Sequence, residues 1–269
     1  MKLTKKTIED EDVYFENGHL KINEVHQGDC LELMKLIPDK SIDAIISDPP
    51  YGTTACKWDT IIPFEPLWEQ YKRIIKDNGA IVLTASQPFT SALVMSNIKM
   101  FKYCWYWEKS QGVNFAQANY MPMKVVEDIA VFGNFGLSKN AKLQAKYNPQ
   151  GLIEINKQKT AKTNSEHRKS DKNNPHIQKY TNYPSVIVKF SNDRGLHPTQ
   201  KPVALMEYLI KTYTNEGDLV LDNCAGSGTT GLAARNLNRN FILIEQEQEY
   251  IDIINQRLSS LDKEINPKE

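Results

Sequence analysis

Asp48-Pro49-Pro50-Tyr51 follows directly on an apolar run, residues 42–47, so a carboxylate and an aromatic ring leave the end of a predicted buried strand. That is the end at which open α/β sheets hold their ligands. Two successive prolines fix φ and remove both N–H donors. The loop is therefore rigid and rich in acceptors, chiefly the Asp48 carboxylate and the Pro49 carbonyl. Such a pair suits a conjugated exocyclic amine, whose lone pair is delocalised into its ring: acceptors on its hydrogens draw the nitrogen toward a pyramidal, more nucleophilic geometry. Tyr51 adds a flat surface for a planar base, which must leave its helical stack before a side chain can reach it. A lone Pro-Pro turn is more often structural, and this one gains weight from a second loop.

Gly226-Ser227-Gly228-Thr229-Thr230-Gly231 matches G-x-G-x-x-G between a predicted strand, 219–222, and a predicted helix, 229–237, and Glu245 closes the next predicted strand, 241–245. Glycines let backbone N–H groups approach a ligand, and a carboxylate at the tip of the second strand can accept from both hydroxyls of a ribose. Any adenosine-bearing cofactor would fit. Asp222, four residues before Gly226, narrows the choice. It would repel an anionic pyrophosphate but stabilise an ammonium and a sulfonium, which favours S-adenosylmethionine over a nicotinamide dinucleotide.

These loops need a scaffold, and the flanking pattern supplies one. Strand-like runs at 42–47, 79–85, 103–108, 128–132, 219–222 and 241–245 alternate with helical patterns at 64–76, 88–98, 202–214, 229–237 and 247–261. Alternation of this kind predicts an α/β fold with a mostly parallel sheet. The 269 residues suffice for one large core, or one with an insert. Residues 138–194 break the rhythm: polar and poor in large aliphatics, they hold 12 Lys or Arg against 4 Asp or Glu, while the chain as a whole balances 33 against 33. They read as a basic insert that is either a solvated loop or an arm for phosphates and base edges, with Tyr147, Tyr180 and Tyr183 available for stacking. The domain expectation is therefore a discontinuous catalytic domain of residues 1–137 and 195–269 around an insert of 138–194.

Other signals weigh less. Cys30, Cys56, Cys104 and Cys224 have neither C-x-x-C spacing nor histidine pairs nearby, which points away from zinc and disulfides. None follows a proline, as the attacking cysteine of a cytosine-C5 methyltransferase usually does, so transfer without a covalent enzyme intermediate is expected. Trp105 and Trp107 share a strand face, which favours packing over ligand contact. No window reaches the length of a membrane span, and a cytoplasmic protein is expected.

Asp48-Pro49-Pro50-Tyr51, His197-Pro198-Thr199-Gln200-Lys201-Pro202 and Asp222-Asn223-Cys224-Ala225-Gly226-Ser227-Gly228-Thr229-Thr230, in that order, resemble the motifs of the beta-class amino-methyltransferases of DNA found in phages and restriction–modification systems. The resemblance covers roughly residues 28–258, apart from the insert. It implies a Rossmann-like α/β methyltransferase fold, permuted in sequence, with a mostly parallel seven-stranded sheet containing one antiparallel strand. It makes Asp48, Pro49, Pro50 and Tyr51 catalytic, and it makes Asp29, Thr199, Lys201, Asp222, Gly226, Gly228 and Glu245 cofactor contacts, with Thr199 and Lys201 near the methionine carboxylate and with no metal. Cys224 stands where the family usually has Phe. The implied reaction moves a methyl group from S-adenosyl-L-methionine to N6 of adenine in DNA, since Asp rather than Ser at position 48 is the family's usual choice for adenine. N4 of cytosine is the first alternative and an RNA adenine the second. The implied partner is double-stranded DNA with a flipped target base, the insert being its recognition region. A cognate restriction endonuclease and a homodimer are compatible with the resemblance, as is a bacterial or phage origin.

Overall fold

A computed structural model describes residues 19–54, 56, 59–159, 176–191 and 200–265. The order of elements is β1 (Glu24–Gln27), α1 (Cys30–Met34), β2 (Ile42–Ser47), α2 (Phe64–Ile74), β3 (Ile75–Ala85), α3 (Phe89–Ser96), β4 (Phe101–Val113), β5 (Lys124–Phe132), β6 (Ile153–Lys159), β7 (His176–Thr181), β8 (Ile187–Phe190), α4 (Val203–Tyr213), β9 (Leu219–Asp222), α5 (Thr229–Asn236), β10 (Asn240–Glu245) and α6 (Gln248–Ile265). The chain forms two compact units. One comprises the described residues up to Asn148 and those from Val186 onward; the other is Pro149–Ser185, whose two strands, β6 and β7, pair antiparallel.

The first unit is built on one sheet in the order β1-β10-β9-β2-β3-β5-β4-β8. Every neighbouring pair is parallel except the two made by β5, which is antiparallel to both β3 and β4. The predicted single antiparallel strand is present, but the strands number eight rather than seven. The additional one, β8, lies in a segment whose composition reads as insert. It is short, and two of its four residues are exposed, so no apolar run marks it.

All six residues of β2 and all four of β9 are buried, as strands covered on both faces must be. Alternate side chains feed two cores. Ile45, Ile81, Leu83 and Leu221 pack with Met34, Leu67, Trp68, Tyr71 and Leu93 of α1 to α3. Ala44, Ile46, Val82 and Val220 pack with Leu205, Leu209, Ala233 and Ile254 of α4 to α6. Helix α2 shows why it sits there: it buries Leu67, Trp68, Tyr71 and Ile74, one stripe at helical spacing, against the sheet.

Because α1 to α3 cover one face and α4 to α6 the other, the chain changes sides between β2 and β9. A crevice opens at the carboxyl ends of the strands there, the usual ligand site of doubly wound sheets. Residues 138–148, expected in the insert, belong to this unit: Leu143 and Ala145 pack on the core, and Lys146 reaches Asp43 Oδ1 at 2.8 Å and Asp218 Oδ2 at 2.6 Å. Trp105 and Trp107 are each 3% exposed and donate to Tyr213 and to the Phe190 carbonyl.

Candidate active site

A cavity of about 460 Å³ runs along the carboxyl ends of β1, β10, β9 and β2, and its walls include Asp29, Glu245, Asp222 and Asp48, one acidic residue following each strand or ending it. Pro49, Pro50, Tyr51, Lys201 and Gly226 also line it. Thr199 and His197 lie outside the described residues, as do Trp58 and His167. Gly228 does not line the cavity. It has φ of +76°, precedes the first turn of α5, and an added Cβ would lie 2.7 Å from Ile254 Cγ1 of α6. Its geometry is that of a tight turn packed under a helix.

The cofactor-side carboxylates are tied to backbone. Asp29 caps α1, accepting from the N–H groups of Leu31 at 2.8 Å and Glu32 at 3.2 Å. Glu245 Oε2 accepts the Gly226 N–H at 2.7 Å, and its Oε1 accepts those of Gln246 and Glu247 at 2.8 and 3.0 Å. One carboxylate thus fixes the glycine loop to the tip of β10. Asp222 is 3% exposed and accepts from Ser47 Oγ at 2.7 Å and the Cys224 N–H at 3.1 Å. Burial is the larger influence and raises its carboxyl to about 6, against the pull of those hydrogen bonds. Cys224 lies beside Cys30, whose thiol pairs with it, and both line the cavity.

Around Asp48 the residues form one network. Asp48 Oδ1 accepts from the Tyr51 hydroxyl at 2.7 Å and from the Thr84 hydroxyl, and Oδ2 accepts from Lys201 Nζ at 2.7 Å. Lys201 also meets Glu127 Oε1 at 2.9 Å, and Glu127 Oε2 meets Lys109 at 2.6 Å. Burial opposes charge on both partners, yet the pairing prevails. The Lys201 and Lys109 ammoniums hold the Glu127 carboxyl at about 2, and Asp48 with Glu127 keeps the Lys201 ammonium protonated well above the ordinary lysine range. Lys201, expected beside the cofactor carboxylate, lines the cavity and pairs with two protein carboxylates. Tyr51 is held protonated by burial and then by the charges of Asp48 and Glu127, so it remains a donor. One face of its ring stacks on Phe89, with centroids 5.3 Å apart and planes at 25°.

Asp59 supplies a second constraint. It is 8% exposed and accepts four backbone N–H groups: Tyr51 and Gly52 at 2.8 Å on Oδ1, Thr53 at 2.9 Å and Thr54 at 2.6 Å on Oδ2. The prolines stiffen the start of the loop and Asp59 pins its continuation. Thr84, Asp59, Glu127, Lys109 and Phe89 carry no motif, and sequence reasoning missed them. Glu127 had one signal, an acid next to Asp128 in an otherwise apolar strand pattern.

A model of the DNA methylase family matches residues 42–256. The DNA adenine methyltransferase YhdJ of Escherichia coli (strain K12) is 33% identical over 86% of this chain and 81% of its own length. The Type II methyltransferase M2.MboI of Moraxella bovis is 28% identical over 91% and 90%. Among solved structures, an M1.HpyAVI–SAM complex covers 87% of this chain and 98% of its own at 27% identity with a TM-score of 0.57. The cytosine-N4-specific PvuII DNA methyltransferase shares the fold at a TM-score of 0.61, 17% identity, and coverage of 87% and 92%. With a family model matched from β2 through α6 and a one-third-identical relative along most of its length, this chain belongs to the DNA methylase family.

Proposed function

We propose that the chain is a site-specific methyltransferase acting on N6 of adenine in DNA, with S-adenosylmethionine as its cofactor. The observation that carries the reading is the occupancy of Asp48. A carboxylate has about four lone-pair sites, and among the described residues Tyr51, Thr84 and Lys201 take three. The remaining one lies on Oδ2 in a residue that lines the cavity shared with the glycine loop. A fixed acceptor with a single open site is what an amine hydrogen requires, and the Pro49 carbonyl is the natural second acceptor.

The cavity residues fit the cofactor. A volume of about 460 Å³ lies within the range of small-molecule sites. Read across the sheet, Asp29 and Glu245 would hold the adenosine portion and Asp222 the cationic methionine portion, while Asp48 faces the target base. When bound, S-adenosylmethionine supplies an electrophilic methyl group on a sulfonium. The chain's own part is to orient the amine and to offset positive charge as it develops on the nitrogen, through Asp48. Tyr51, Thr84 and Lys201 hold Asp48 in place, and Lys201 balances its charge before the amine arrives. Asp59 keeps the loop from relaxing.

Aspartate at position 48 and the named specificity of YhdJ support adenine over cytosine. The basic residues 138–194 are proposed to recognise the target sequence, with the compact unit Pro149–Ser185 as part of that region. Nucleoside mass spectrometry of host DNA, with and without the gene, tests the reading. Gene-dependent N6-methyldeoxyadenosine supports it; gene-dependent N4-methyldeoxycytidine, or no modified base, would overturn it.

A further inference from the structure

Strands β4 and β5 outrun β3, with β8 following β4 only as far as Lys109. Ala85, the last residue of β3, is level with Asp128 of β5, while the β4–β5 pairing continues beyond that point through Trp107–Glu127 and Glu108–Val126 to Val113–Lys124. This is the sheet edge that carries Asp48, since β3 runs parallel to β2. The base of the projecting hairpin holds Glu127 and Lys109 of the active-site network. Its tip is apolar and exposed: Phe115 is 81% exposed, Tyr120 90%, Val113 40% and Met121 41%. A tip that leaves two aromatic rings and their apolar neighbours in water is shaped for a partner.

The polar side chains of the tip say which partner. Residues 110–123 contain four Asn or Gln side chains and no acid, and the flanking lysines are held at the base, Lys109 by Glu127 and Lys124 by Ser86. A surface made for another protein's apolar patch has no need of that bias. Amides that read base edges, aromatic and apolar groups that enter a base stack, and an absence of negative charge are together the requirements of duplex DNA. We propose that the hairpin tip is a wedge that enters the DNA stack beside the target base, with Phe115 and Tyr120 as the inserted rings. The proposal rests on the methyltransferase reading and adds a duplex-opening element separate from the basic insert. A base extruded at Asp48 leaves a gap, and the hairpin rises from the same network that receives the base.

The test uses the full chain and a fluorescein-labelled, mixed-sequence duplex of about 24 base pairs, titrated by anisotropy, with sedimentation velocity on the same samples. Loss of a ring stacked on a base typically weakens binding about five- to hundredfold. Phe115→Ala and Tyr120→Ala should each weaken duplex binding by at least fivefold with unchanged sedimentation mass. In a Phe115→Trp variant the new indole's fluorescence should be quenched when the duplex binds. Wild-type affinity retained in both alanine variants, or an unquenched indole, would overturn the wedge. A loss of self-association with duplex affinity unchanged would overturn it in favour of a second copy of the chain. Failure of the wild-type chain to bind any duplex would refute the functional reading itself, an outcome distinct from a hairpin that proves idle.

Discussion

Glu127→Gln isolates the charge that supports Asp48. Glu127 is 8% exposed along its side chain, with Lys109 at 2.6 Å and Lys201 at 2.9 Å. Glutamine has the same shape and carries no charge. It leaves two ammoniums facing one carboxylate. The Glu127 carboxyl sits at about 2 rather than its ordinary 4.5, and at 1.36 kcal/mol per pH unit that difference amounts to about 3 kcal/mol of folding stability at neutral pH. Removing one partner of a buried ion pair costs about 3–5 kcal/mol, which agrees. Since the carboxyl is depressed in the folded state, the stabilisation is complete above about pH 4.5 and is lost as pH falls through about 2. Urea unfolding followed by tryptophan fluorescence should therefore show the variant about 3 kcal/mol less stable at pH 7.5, with the gap narrowing below pH 4.5. Equal midpoints at pH 7.5, or a gap that stays constant down to pH 3.5, would refute the network as drawn.

Asp222, at about 6 before a cation arrives, must lose its proton to serve one; calorimetry should find S-adenosylmethionine affinity level near pH 7 and falling toward tenfold per pH unit below 6, and Asp222→Asn should bind weakly without that dependence. Gly228→Ala meets Ile254 at 2.7 Å with φ of +76°, so strain and overpacking should cost about 2–4 kcal/mol in urea unfolding, while the folded variant's cofactor affinity stays within about twofold because the residue does not line the cavity. Replacing Lys157, Lys162, Lys172 and Lys179 with Gln should flatten the slope of log affinity for DNA against log salt by up to about 3 to 4, and an unchanged slope would return the insert to a passive loop.

The two loops were legible because each couples a strand-like apolar run to residues with few structural alternatives: Asp48-Pro49-Pro50-Tyr51 after β2, and the glycines after β9. The alternation of elements gave the parallel sheet for the same reason. What stayed hidden depends on contacts between distant segments. Glu127 reaches Lys201 only because β5 reverses against β3, and nothing local announces that register. Asp59 looks like one of many loop acids until the chain folds back so that it accepts four N–H groups. Strand β8 and residues 138–148 were obscured by their polarity, since two apolar residues such as Leu143 and Ala145 leave too little periodicity to read.

Single-turnover methyl transfer by Asp48→Ala, measured by mass spectrometry of N6-methyldeoxyadenosine in a DNA substrate that the wild-type chain methylates, tests the central claim most directly. The side chain is 27% exposed at the end of β2 and fills no core position, so fold and cofactor affinity should persist. Loss of a preorganised polar group at the reacting atom typically slows the chemical step by about a hundred- to a thousandfold. The account predicts a fall of that size. Near-wild-type formation of N6-methyldeoxyadenosine by Asp48→Ala would contradict it.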